Sequence, residues 1–176
     1  MARKIEDYYP LVKEAGELRT AKPVVFESTL AVTGITTFAA VPVFSAGLVG
    51  STEVVTATNV ITSSESGKTF FLSAVAGFES TLPTAAAGLY FKFVVATAPT
   101  SNGYTITGSP ADKISGTIAA SGAEDTINGV TAALADNVIL VANVALLGDV
   151  LEFTSDGTNW FVNGNVNTYA AVTANG

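Results

Sequence analysis

The stretch SDGTNWFVNGN, residues 155–165, holds the side chains best suited to binding an ion. Asp156, Asn159, Asn163 and Asn165 offer oxygen atoms, which are the ligands that Ca²⁺ prefers. Asp156 is the only carboxylate among them, and a tight calcium site needs more negative charge. We therefore predict a plain hairpin turn here and no metal site.

Two aromatic residues, Trp160 and Phe161, follow that turn and could stack on the face of a sugar ring. A Trp that enters a hairpin is more often buried, because its indole removes a large apolar surface from water. We expect Trp160 to belong to the core, and a glycan ligand is left without support.

The groups that carry most enzyme chemistry are missing or scattered. The chain has no cysteine and no histidine, which excludes thiolate nucleophiles, Cys/His zinc sites and histidine acid–base chemistry. Glu124 and Asp125 are adjacent, so an extended chain would turn them to opposite sides. Residues 66–69 read SGKT, like the end of a phosphate-binding loop, but Thr62 stands where that loop needs a glycine. We predict that the protein is not an enzyme and binds no cofactor.

Composition predicts an all-β body to position these residues. Charged residues make up 13% of the chain and hydrophobic residues 48%, while Thr (23) and Val (21) together supply a quarter of it. Branching at Cβ restricts a side chain in a helix but packs well on a sheet. The candidate strands are residues 53–62, 68–75, 89–98, 103–108, 112–120, 137–145, 149–155 and 159–166.

Four dipeptides suited to positive φ separate or end these strands and predict tight hairpins: Asn102-Gly103, Asn128-Gly129, Asp156-Gly157 and Asn163-Gly164. Short strands at this spacing are typical of an antiparallel β-sandwich, a jelly roll or a barrel.

Charge separates residues 1–22 from the rest of the chain. This arm holds five of the eight basic residues against four acidic ones, whereas residues 23–176 carry three basic and eleven acidic residues. The resulting charge of −8 repels phosphates, so we predict no binding to nucleic acid. The most apolar run, residues 138–150, is too short and too interrupted for a membrane helix, and no secretory signal is recognised, so we predict no membrane partner.

The arm is expected to form a short helix from about Pro10 to Arg19, although Gly16 weakens it. Its aromatic and apolar side chains need a surface to pack on, and Tyr and Arg are favoured at interfaces. Either the arm covers its own body or it docks on a partner. The candidate contact residues are Arg3, Lys4, Tyr8, Tyr9, Leu11, Val12 and Leu18.

Apolar and polar residues alternate along residues 23–49 as in a β-strand, but the alternation changes phase at Gly34. The apolar residues before this glycine and those after it therefore form two different sets. A lone sheet would leave one set in water, so we predict a stem in which several copies intertwine. The alternative is two edge strands of a monomeric sandwich. The candidate core residues between chains are Phe26, Leu30, Val32, Ile35, Phe38, Val41 and Phe44.

The segment FESTLAVTGITTFAAVPVFSAGLVG resembles the glycine-punctuated β-stems of trimeric fibre proteins of tailed bacteriophages. The later segments GKTFFLSAVAGFESTLPTAAAGLYFKFVV and GDVLEFTSDGTNWFVNGNV resemble a small β-domain of phage virion proteins. The likeness covers roughly residues 24–168, and its motifs are structural. It implies a virion surface protein, made in the host cytoplasm and displayed on the capsid.

These observations together predict three parts: a capsid-binding arm (1–22), a trimerising β-stem (23–49) and an outer β-domain (50–176). The predicted function is a homotrimeric decoration protein of the cement or head-fibre type, whose partners are its own copies and the major capsid protein. A receptor- or glycan-binding tail fibre is the alternative, and a carbohydrate-binding module outside any virus is a third interpretation.

Overall fold

The computed structural model describes residues 12–14, 17–19, 49–120 and 128–176, with the backbone alone at 12–14, 17–19 and 128–132. The chain divides into two compact units, Met1–Ala46 and Gly47–Gly176. The predicted stem, apart from Val49, lies outside the described residues.

The described part of the chain is built from strands, so the all-β prediction is confirmed. Two short 3₁₀ turns, Ser63–Glu65 and Tyr169–Ala171, accompany them. Within this part, no helix is both long and apolar enough to span a bilayer. The strands are β1 (Val12–Glu14), β2 (Glu17–Arg19), β3 (Thr52–Val55), β4 (Asn59–Val60), β5 (Thr69–Leu72), β6 (Phe78–Thr81), β7 (Tyr90–Val95), β8 (Tyr104–Thr107), β9 (Ile114–Ala120), β10 (Asn128–Ala135), β11 (Asn137–Leu140), β12 (Val150–Ser155), β13 (Trp160–Val166) and β14 (Val172–Asn175).

In the first unit, β1 and β2 form an antiparallel pair where the sequence predicted a helix. Val12 pairs with Arg19, Lys13 with Leu18, and Glu14 with Glu17. The helix prediction is therefore wrong over these residues. A glycine such as Gly16 disfavours a helix interior, and the β-branched Val12 at the start of β1 prefers a strand.

The second unit, which we call the body, consists of two sheets. The seven-stranded sheet has the order β10-β9-β13-β12-β7-β5-β3, and the five-stranded sheet has the order β14-β11-β8-β6-β4. Each sheet ends in two edge strands, and buried side chains of both sheets form one core, an arrangement consistent with the predicted β-sandwich.

The sheets are mixed, which corrects the prediction of an antiparallel body. From β3 to β8 the chain alternates between the two sheets, so that β3, β5 and β7 run parallel in one and β4, β6 and β8 run parallel in the other. Strand β9 is also parallel to β13. From β3 to β8 the cause is that each connection crosses to the opposite sheet, so strands that neighbour each other in one sheet point the same way.

Period-two alternation builds the core. In β7, Phe91, Phe93 and Val95 are buried while the residues between them are partly exposed. The ring of Phe93 stacks on Phe70 at 5.4 Å between centroids and meets Phe153 edge-on at 5.6 Å. Aromatic packing across β5, β7 and β12 therefore fixes the centre of the seven-stranded sheet.

The structure confirms some of the predicted strands and turns and contradicts others. Residues 53–62 divide into β3 and β4 on different sheets, and the sequence prediction missed β6, β10 and β14. Asn163-Gly164 lies inside β13 and Asn128-Gly129 inside β10, so both turn predictions are wrong. Gly164 belongs in the strand because a Cβ there would lie 2.6 Å from the Val150 carbonyl oxygen, and only a glycine allows that close approach.

Asn102-Gly103 lies in the connection from β7 to β8. This connection joins strands of different sheets, so the hairpin predicted there is wrong too.

Candidate functional surfaces

The residues predicted to contact a capsid or to form a trimer core lie almost wholly outside the described residues. Val12 is in β1 and Leu18 is in β2, where Leu18 pairs with Lys13. The remaining ones stay predictions: Arg3, Lys4, Tyr8, Tyr9, Leu11, Phe26, Leu30, Val32, Ile35, Phe38, Val41 and Phe44.

The Asp156 turn is closed by bonds within the chain. Asp156 Oδ1 accepts the N–H groups of Thr158 and Asn159 at 2.8 and 2.9 Å, and Gly157 has a φ of +107°. The bond from Asn159, followed by that from Thr158, lowers the pKa of Asp156. The hairpin predicted from Asp156-Gly157 is confirmed, since it joins β12 to β13. Across the described ranges, no three His, Cys, Asp or Glu side chains come together as metal ligands would.

Lys68, in the SGKT segment, is held by two carboxylates. Its Nζ lies 2.7 Å from Glu53 and 2.8 Å from Glu65, and 5.5 Å from the centre of the Phe70 ring. Hydrogen bonds to Glu53 and then to Glu65 raise the pKa of Lys68, and the bond to Lys68 is the main cause that lowers the pKa of Glu65. Two carboxylates beside the ammonium make this a poor phosphate site.

Trp160 is fully buried, with 0% exposure, and its ring centre lies 5.7 Å from that of Phe91. The expectation that Trp160 belongs to the core is therefore confirmed. Phe161 points to the other face of β13 and is 45% exposed. The two rings lie on opposite faces of one strand and cannot form a joint sugar platform.

The strand directions give the body two distinct ends. We call the end at which β3 begins, at Thr52, the proximal end, and the end at which β3 finishes, at Val55, the distal end. Residues 56–58 lead from the distal end of β3 to the start of β4, and the pairings from β4 through β6, β8 and β11 to β14 then place Asn175 at the proximal end too. The chain therefore begins β3 and ends β14 at the same end of the body.

Five described connections form the distal end, and they carry one charged residue. They are residues 56–58, 73–77, 96–103, 141–149 and 167–171, and Asp149 is their only acidic or basic residue. The connection between β9 and β10, which contains Glu124 and Asp125, lies outside the described residues. The proximal end differs, because it carries six charged residues, which are Glu65, Lys68, Asp112, Lys113, Asp136 and Asp156.

Backbone hydrogen bonds join the distal connections to one another. Thr100 N–H donates to Val75 at 2.7 Å, Asn143 N–H to Pro99 at 2.8 Å, and Val141 N–H to Ala171 at 2.8 Å. Asn143 holds this contact in a left-handed conformation, with a φ of 60°. These bonds make the distal end a preformed surface.

Asp149 ties two of these connections together beneath the surface. It is 1% exposed, and its two oxygens accept hydrogen bonds from Leu146 N–H at 2.9 Å and from Asn167 N–H at 2.8 Å. A cleft of about 400 Å³ adjoins it, lined by Ala119, Ala120, Gly148, Asp149, Asn165, Val166 and Asn167. Because its carboxylate is already bonded within the chain, Asp149 supports the loops and offers no free charge to a ligand.

Four large apolar side chains are exposed on the distal end. Val75, Leu146, Leu147 and Tyr169 are between 48% and 65% exposed. We call these four residues and the connections that carry them the distal loop surface. An uncharged surface with exposed apolar groups is suited to contact with a neutral ligand or partner.

Sequence reasoning did not find this surface. Its residues come from five separate connections that only the alternation between sheets brings to one end. The available signal is the absence of charge in these segments, which is visible in the sequence once the strand directions are known.

Comparisons of this chain with protein-family models, curated protein sequences and solved structures find no match. The resemblance to phage fibre and decoration proteins therefore stays a prediction, and the function has to be judged from the residues and surfaces described above.

Proposed function

We propose that this chain is a structural virion protein that decorates and stabilises a tailed-phage capsid as a homotrimer. The observation that carries the proposal is the two-ended body. The chain enters β3 and finishes β14 at the proximal end, so attachment at that end would leave the distal end for display. An attached protein with a displayed outer domain needs this arrangement.

The composition of residues 1–22 supports attachment through the arm. It holds five basic residues on a chain whose remainder is strongly acidic, together with Tyr8 and Tyr9. Arg and Tyr are enriched at protein interfaces. The paired strands β1 and β2 give part of the arm a defined backbone to present.

A homotrimer makes such attachment stronger without new contacts. Three linked arms raise the local concentration of the second and third binding segments, so the assembly binds more tightly than one arm. A trimer that bridges several capsid subunits stabilises the lattice by mass action, because it binds the assembled state alone.

The test compares the full chain with a variant that lacks residues 1–22. Both proteins are mixed with capsids that lack a decoration protein, and binding is measured by co-sedimentation. The full chain should sediment with the capsids, and the truncated variant should stay in the supernatant. Light scattering should give both proteins a mass of three copies, which for the full chain means three times 17.9 kDa.

Two results would overturn the proposal. Coating of capsids by the truncated variant would rule out the arm as the attachment site. A monomeric mass for the full chain would rule out the trimer.

The distal loop surface favours a second candidate, a receptor- or glycan-binding fibre module. It is preformed, its one charged residue among the described connections is the buried Asp149, and Tyr169 exposes a ring that can stack on a sugar. Calorimetric titration with a panel of neutral oligosaccharides distinguishes the candidates. Heat that disappears in a Tyr169→Ala variant supports the fibre module, and no heat with any oligosaccharide counts against it.

A further inference from the structure

An apolar row crosses the outer face of the seven-stranded sheet. Val54 of β3 pairs with Phe71 of β5, Phe71 pairs with Val94 of β7, and Val94 pairs with Val150 of β12. Paired residues on adjacent strands point to the same face and lie about 4.8 Å apart, so the row is about 14 Å long. We call these four residues the outer apolar row.

The row faces away from the core. The next residue along each strand is buried, and these residues are Val55, Leu72, Val95 and Leu151. Since side chains alternate between the faces of a strand, the row belongs to the opposite face. Val54, at the edge of the sheet, is 64% exposed, and the other three residues are partly exposed.

The corresponding row on the five-stranded sheet is mostly polar. There Glu79 pairs with Thr105, Thr105 pairs with Ile139, and Ile139 pairs with Thr173. A solvated sheet face normally carries polar residues of this kind. The same fold thus has one ordinary outer face and one with four adjacent apolar side chains.

Charge also singles out the outer face of the seven-stranded sheet. Among its described strand residues only Lys92 and Glu152 are charged, and they pair with each other at 3.0 Å. The whole chain carries a net charge of −7, so two copies repel each other in most orientations. On this face the charges of Lys92 and Glu152 cancel, so a second copy meets no local excess of negative charge there.

We propose that the outer apolar row is where the body of one copy contacts the body of another copy in the oligomer. This inference rests on the proposed homotrimer and adds the surface by which its bodies meet. Close packing against a second copy removes these four apolar side chains from water, whereas a solvated face leaves them exposed to it.

The absence of cysteine from the chain allows a site-specific test. Val94→Cys places a thiol in the row, and Thr105→Cys places one on the outer face of the five-stranded sheet. Both positions are partly exposed in a central strand of their sheet, so a lone copy should let a maleimide reach them at similar rates. In the intact oligomer, Cys at position 94 should react at least tenfold more slowly than Cys at position 105. In denaturant the two rates should become equal.

The mass of each variant, measured by light scattering, separates the possible failures. An oligomer in which both thiols react equally fast would overturn the assignment of the row and leave the proposed function standing. A monomeric mass for both variants would overturn the assignment of the row and the proposed function together. An oligomer with a protected thiol at position 94 and a reactive one at position 105 would support the contact.

Discussion

Asp149 binds Asn167 twice, since one carboxylate oxygen accepts both the backbone N–H at 2.8 Å and the side-chain amide N–H at 2.9 Å. The other oxygen accepts the N–H of Leu146. These bonds join residues 141–149, which lead into β12, to residues 167–171, which follow β13. Two loops that are far apart in sequence therefore share one buried anchor at the distal end.

Replacing that anchor should destabilise the body. Asp149→Ala removes a buried carboxylate that accepts three part-buried N–H groups, and we expect the free energy of unfolding to fall by about 3 kcal/mol. Chemical denaturation measures the change. Asp156→Ala is the matched control, since it also removes a carboxylate that accepts backbone N–H groups, but at an exposed turn where water can replace it. Equal losses in the two variants would contradict the role of Asp149.

A glycine within β9 allows that strand to approach β13. Gly116 has a φ of +148°, and a Cβ at this position would overlap the carbonyl oxygen of Val162 on the paired strand. Gly116→Ala should therefore lower the free energy of unfolding by about 3 kcal/mol, because the backbone of β13 would have to shift. Gly50→Ala is the control, since nothing lies within 4 Å of its built Cβ, and it should change stability by less than about 0.5 kcal/mol. A tolerated Gly116→Ala would show that the two strands can separate at low cost.

The sequence allowed the strands to be predicted better than their arrangement. In β7 the alternation of YFKFVV correctly places Phe91 and Phe93 inward, because period-two patterning is local. Which sheet a strand joins depends on where its connection leads, and the sequence does not reveal that residues 56–58 cross to the other sheet. The turn signal of Asn163-Gly164 failed for a similar reason, since the close approach of Gly164 to β12 is a tertiary contact.

The candidate surfaces were harder to predict than the strands. The distal loop surface depends on five connections, and the outer apolar row depends on the register between four strands. Val94 shares its face of β7 with Lys92, a charged residue typical of a solvated face, so neither residue alone indicates a contact surface. The row can be recognised only from the strand register, which shows that Phe71 and Val150 lie beside Val94.

Acid should weaken the Asp156 turn. The backbone bonds to its carboxylate lower the pKa of Asp156 in the folded protein below the ordinary value of 3.8. The stability that this carboxylate adds is present above that value and is lost as the pH falls through the lower folded pKa. Asp156→Asn keeps an oxygen acceptor but does not titrate. The difference in unfolding free energy between the protein and this variant should shrink as the pH falls from 6 to below 3.8, and two parallel curves would contradict the assignment.

Leu134 is a strained residue at the edge of the seven-stranded sheet. Its φ is 56°, a left-handed conformation that leucine disfavours, and it lies where the register between β10 and β9 shifts from Ala132 to Ala135. Asn adopts this conformation more readily, so Leu134→Asn should raise the free energy of unfolding by about 0.5–1 kcal/mol. Leu147→Asn is a close control, because Leu147 is 65% exposed against 64% for Leu134 and its φ is not positive. Denaturation curves should show a gain for Leu134→Asn alone. A loss at position 134 would mean that the leucine side chain stabilises the bulge by more than its backbone strain costs.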